Sequence, residues 1–212
     1  MISPSPIFNT TKEIKAELDK IPHLGYGFLS KDKKLYIHFL FLFGILNRTY
    51  ELTDSAIWAI DNNRPQSAAN MFRALIETLG FVYYSWKKTL KGEKGGVFEK
   101  IASLFFGSRQ KNAKYKSVNI LTCIDEAVKN FPELRKSYDD ICEIVHPNSK
   151  SLAYSGKTVG GEKDGQVEFR IPFYEFKTGD KEKITNQVGE CCYYIQAICG
   201  EIFENLEKHR NQ

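Results

Sequence analysis

Two groups of side chains stand at spacings that chemistry can use. Arg73 and Glu77 are four apart in Phe72-Arg73-Ala74-Leu75-Ile76-Glu77, so on a helix turning about 100° per residue they share one face as an ion pair. An exposed pair of this kind contributes only about 0.2–0.5 kcal/mol. Shielded from water, the same pair is costly to desolvate and points to a specificity or catalytic role. In the second group, Arg135, Asp139, Cys142 and His146 lie within roughly 60° of one another on one helical flank. His146 falls in the last turn, where the helix dipole favours the imidazolium form. It is placed to act as a general acid or to hold phosphate. Asn148 just beyond can bond the free carbonyls, and Tyr154 follows on the next segment. The alternative is a helix-terminating histidine that only satisfies backbone groups.

Charge is unevenly spread. The net charge is +4, but residues 85–117 carry +7 and the rest of the chain −3. The sharpest part, residues 107–117, holds Arg109, Lys111, Lys114 and Lys116 with no acidic residue. A strip like this can hold RNA or a nucleotide phosphate, or it is a solvated loop.

Other chemistry is thinly represented. Glu143 and His146 match the Glu-x-x-His pattern of bundle di-metal sites, but His23, His38 and His209 supply no second copy. No metal or other cofactor is expected. Residues 92–96 lack the strand and the Gly-Lys-Ser/Thr ending of a phosphate loop, and nucleophile signatures are absent. The start of the chain lacks a basic end followed by an apolar core, and the most apolar stretch, residues 35–46, is too short to span a bilayer. The five cysteines show no metal-type spacing and read as reduced thiols filling the core of a cytoplasmic protein that does not enter a membrane.

The elements that must position these residues are mostly helical. Residues 1–9 read as a loose arm, followed by a short helix from Thr11 to Ile21 that Pro22 stops, and a Gly25-Tyr26-Gly27 connector. A long helix spans 31–61, Asn62-Asn63-Arg64-Pro65 breaks it, and the next helix starts at Pro65. Its Ala68, Phe72, Leu75, Leu79, Val82 and Trp86 follow alternating steps of four and three, a seam for a partner helix. Two long helices joined so tightly form an antiparallel hairpin. Arg73, Glu77, Phe81 and Tyr84 point away from the seam, so this far face is also covered, by another helix or a second subunit. Helices follow over 97–106, 118–130 and 132–146, and Pro147 ends the last of them. Alternating Val167, Phe169, Ile171 and Phe173 predict a β-hairpin over about 151–175. The final helix, 180–208, carries Ile184, Val188, Cys191, Ile195, Ile198 and Ile202 in the same heptad step. The expected fold is therefore mainly α: an antiparallel helical bundle built on a long helix hairpin, with one β-hairpin before the C-terminal helix. Residues 1–30 form the arm and short helix, and 31–212 a single bundle domain.

The Arg73-x-x-x-Glu77 helix, followed by Tyr138-Asp139-Asp140-Ile141-Cys142-Glu143-Ile144-Val145-His146-Pro147-Asn148, resembles a group of uncharacterised bacterial helical proteins that share an Arg-x-x-x-Glu helix, a His-Pro-Asn ending, a hairpin and a final helix. The likeness covers the chain from about residue 31 onward. More distantly, the layout resembles the HEPN superfamily of toxin–antitoxin and antiviral systems. That resemblance implies a homodimer and, in active members, metal-independent RNA cleavage at a site shared by two protomers. Active HEPN ribonucleases carry Arg, four to six intervening residues, and then His on one helix. Here the nearest approach is Arg135 with ten residues before His146, roughly 16 Å along one helix. Any site joining His146 to Arg135 or to Arg73 must then be composite.

Three functions follow as expectations. The leading one is a HEPN-like module that binds RNA or a nucleotide phosphate in phage defence or a toxin–antitoxin system. Arg109, Lys111, Lys114, Lys116, Asn148 and Tyr154 would contact the ligand. The second is a ribonuclease toxin using Arg73, Glu77 and His146 across a dimer. The third is a non-catalytic scaffold in which the polar groups are structural.

Overall fold

The structure is a computed structural model that describes residues 2–27, 37–90, 107, 116–146, 157–158, 169–170, 176 and 179–210. In chain order the elements are α1 (Thr11–Leu18), α2 (Ile21–Gly27), α3 (Ile37–Asp61), α4 (Pro65–Leu90), α5 (Ile120–Ala127), α6 (Glu133–Val145), β1 (Lys157–Thr158), β2 (Phe169–Arg170) and α7 (Asp180–Arg210). No helix among the described residues is long and apolar enough to cross a membrane.

The α3–α4 hairpin forms as its punctuation predicts. Asn63 takes φ 51°, the left-handed conformation that asparagine tolerates better than most residues. Its N–H bonds Ile60 O at 3.2 Å and the next N–H, of Arg64, bonds Ala59 O at 2.7 Å. These two bonds satisfy the last carbonyls of α3 in a Schellman motif. Pro65 then occupies the first position of α4, where its missing N–H costs nothing. Contacts of Arg48 with Thr78 and of Phe41 with Phe81 show the two helices running antiparallel.

Helix α4 is the axis of the bundle and packs on α3, α5, α6 and α7. All six of its seam residues are buried, as are the six heptad positions of α7. Gly80 lets α5 approach α4 closely: a Cβ there would lie 3.2 Å from the backbone N of Ile124. Phe81, on the far face of α4, packs on Phe41 of α3 with ring centroids 5.9 Å apart. Leu134, Tyr138 and Ile141 are the buried stripe of α6.

The N-terminal segment departs from expectation twice. Residues 2–9 are not loose. Phe8 is buried against Gly189 of α7, where any Cβ would fall 2.3 Å from Phe8 Cγ. The Phe8 N–H donates to Asn186 Oδ1 at 2.8 Å and the Ser5 N–H to the Tyr194 hydroxyl at 3.1 Å. One aromatic anchor in a glycine notch holds a segment whose composition carries no periodic signal. The second departure is that Pro22 opens α2 instead of merely stopping α1, and Gly25 to Gly27 belong to that helix. Proline is accommodated in a first helical turn, where no intrahelical acceptor awaits its N–H. Helix α1 carries a capping box between Thr10 and Glu13. Phe8, Ile14, Leu18 and Ile21 join the same apolar core as α3, α4 and α7.

Of the expected hairpin over 151–175, the described residues show only a two-residue antiparallel ladder, Lys157 opposite Arg170 and Thr158 opposite Phe169. The rest of that segment, and the helix expected over 97–106, lie outside the described residues.

Candidate functional site

The far face of α4 meets α6 at Tyr138. The Arg73 Nε–H donates to Glu77 Oε1 at 3.2 Å, and the Tyr138 hydroxyl donates to that same oxygen at 3.2 Å. The Arg73 guanidinium lies over the Tyr138 ring, 5.7 Å from its centroid, a cation–π arrangement. The Arg73 and Glu77 side chains are 32% and 27% exposed, so water still reaches the pair from one side. Burial opposes the Arg73 charge, but the Tyr138 hydroxyl, Cys142 and Glu77 outweigh it and hold the guanidinium pKa above its ordinary value. Burial raises the Tyr138 phenol above its ordinary value, with Cys142 and Glu77 adding to the rise while Arg73 opposes it. Tyr138 is therefore a protonated donor at neutral pH, as its bond to Glu77 requires.

His146 does not join this cluster. It is the C-cap of α6, with extended backbone (φ −77°, ψ 144°) as the following proline demands. Its N–H bonds Cys142 O at 3.0 Å. It is exposed and stands eight residues beyond Tyr138, about 12 Å along the axis. Among the described residues its ring has no hydrogen bond or ion pair with Arg73 or Glu77. Arg135 is spent elsewhere. Its Nη1 bonds Asp125 of α5 at 2.7 Å, and its Nε bonds Asp139 at 3.0 Å, so it clips α5 to α6 at the surface.

The basic residues divide. Arg109, Lys111 and Lys114, with Asn148 and Tyr154, lie outside the described residues, and Lys116 is exposed. The start of the basic segment is visible at the end of α4. Lys87 Nζ lies 5.1 Å from the Trp86 ring centroid and 5.5 Å from that of Tyr83, and Lys88 Nζ lies 4.9 Å from that of Tyr84. Among the described residues neither lysine has a carboxylate partner. No cluster of three or more His, Cys, Asp or Glu suited to a metal occurs among the described residues.

Comparison with family models, with curated proteins and with solved structures finds no match for this chain.

The packing of α4, α6 and α7 also creates a feature that no local residue pattern marks. A cleft of about 250 Å³ opens between α4, α6 and α7, with Glu133, Ser137, Gln187 and Glu190 on its lining. The signal available was weak: Gln187 and Glu190 are polar positions flanking the α7 seam, and only packing shows that they line a cleft shared with α6.

Proposed function

We propose that this chain is a HEPN-like helical module that binds RNA or a nucleotide phosphate, acting as a cytoplasmic homodimer in phage defence or a toxin–antitoxin system. The observation that carries the reading is the end of α4. Lys87 and Lys88 sit over aromatic rings, with no carboxylate partner among the described residues, and open a segment of net charge +7. Cations beside ring faces suit single-stranded nucleic acid, whose phosphates take the charge and whose bases stack. The homodimer draws support from the resemblance and from Trp58 of α3, 58% exposed. In this reading Arg109, Lys111, Lys114 and Lys116 extend the contact, and Arg73 braces α6 against α4.

A scaffold is the second reading, favoured by the cluster itself: Arg73, Glu77 and Tyr138 satisfy one another. The ribonuclease reading needs His146 to reach Arg73 or Glu77 from another protomer. Fluorescence anisotropy with labelled single-stranded RNA, across a salt series, separates these functions. Binding that weakens steeply with salt and is reduced in K87A/K88A supports the module. Absence of RNA or nucleotide binding at low salt rejects it. RNA cleavage lost in His146→Ala would favour the ribonuclease.

A further inference from the structure

We propose that the cleft between α4, α6 and α7 binds a small organic cation, an ammonium or guanidinium on an apolar body, with Glu190 and Glu133 as its counter-charges. The lining shows a division of labour. Phe72, Leu79 and Leu134 supply apolar surface, and Phe131 and Tyr194 stand with ring centroids 4.7 Å apart as an aromatic wall. At about 250 Å³ the cleft exceeds the ~150 Å³ apolar cavity that admits benzene, so it suits a ligand of about ten heavy atoms.

Its polar lining is rich in acceptors. Among the described residues no Lys, Arg or His lines it, while two carboxylates do. The Gln187 Nε2–H donates to Ser137 Oγ at 2.9 Å, which leaves the Gln187 carbonyl oxygen as a further acceptor. Glu77, Glu126, Asp54, Asp125 and Asp139 all have cationic partners. Among the described residues Glu133 and Glu190 have none. A cation held in the cleft would take both of these carboxylates as counter-charges beside an apolar wall. The neighbouring rings add cation–π attraction.

Glu190 is also held in place. The Phe8 N–H fixes Asn186 Oδ1 at 2.8 Å, and Asn186 Nδ2–H donates to Glu190 Oε1 at 3.0 Å. One carboxylate oxygen is thereby anchored through the seated N-terminal arm, and the other stays available to a ligand. Neither Lys87 nor Lys88 lines the cleft, so this proposal and the RNA reading stand or fall separately.

The test is calorimetric titration of the full chain with phenethylamine and agmatine, against phenethyl alcohol and 3-phenylpropionate as neutral and anionic controls. The amines are expected to bind saturably and to weaken with added salt, the alcohol to bind at least about tenfold more weakly, and the carboxylate not to bind. Glu190→Gln is expected to weaken amine binding about tenfold, the loss of one charge-assisted contact, with an unchanged circular dichroism spectrum. Glu133→Gln, at an exposed position that cannot disturb the core, is expected to weaken it several-fold. Failure of both amines to bind, equal binding of the alcohol, or amine affinity unchanged in both variants would overturn the proposal.

Discussion

Tyr138 and Glu77 are 61 residues apart in sequence and joined by a 3.2 Å hydrogen bond, on the same carboxylate oxygen that accepts the Arg73 Nε–H. This bond makes a pair local to α4 into a joint between α4 and α6. Removing the hydroxyl alone, in Tyr138→Phe, is expected to cost about 1 kcal/mol by urea denaturation. Tyr138→Ala, which also removes a buried ring, is expected to cost about 3–5 kcal/mol. Equal stability of Tyr138→Phe and wild type would mean that the joint is packing alone.

The same bond sets an alkaline limit. The Tyr138 phenol pKa is raised by burial, with Cys142 and Glu77 adding to it, so between the ordinary tyrosine value of about 10 and the folded value the native state holds more protons than the unfolded one. This contribution is fully present below about pH 10 and is lost as pH rises through the folded value. Urea midpoints measured upward from pH 9 are expected to fall more steeply in wild type than in Tyr138→Phe. Parallel slopes would remove the assignment.

Thiol reactivity reports the core. Burial pushes the Cys123 thiol up to about 11 and the Cys192 thiol up to about 12, and raises Cys191 and Cys199 as well. Cys142 is the only partly exposed cysteine. At pH 8 a disulfide reagent is expected to titrate about one thiol in the native protein, abolished by Cys142→Ser, and all five after unfolding. Fast reaction of several native thiols would contradict the packing of α7.

The arm and its notch are a coupled pair. Gly189→Ala places a Cβ 2.3 Å from Phe8 Cγ, so Phe8 must leave, at an expected cost of about 1–3 kcal/mol. Limited proteolysis should then cut within residues 2–9. Phe8→Ala should make the glycine substitution much less costly, a non-additivity that a double-mutant cycle measures. Additive effects would show that Phe8 does not occupy the notch.

The RNA reading predicts a slope as well as an affinity. If Lys87 and Lys88 each neutralise one phosphate, K87A/K88A should reduce the slope of log affinity against log salt by about 1.4. Arg135→Ala, whose guanidinium is occupied by Asp125 and Asp139, should leave it unchanged. A reduced slope in Arg135→Ala would place that arginine on the ligand.

Sequence alone determined the long helices α3, α4 and α7, because their signals are local. The seams of α4 and α7 and the break at Asn62 to Pro65 depend on residues within a few positions of one another, and each appears where the pattern puts it. The Arg73–Glu77 pair was legible for the same reason. Tertiary structure decided which faces meet, since periodicity states that a face is buried but not against what. It set Tyr138 on Glu77 and left His146 exposed two turns away. It also seated Phe8 against Gly189 and opened the cleft beside Glu190. Each of these contacts joins segments distant in the chain, so its energy depends on shape and charge meeting across packed surfaces, which no short window of residues encodes.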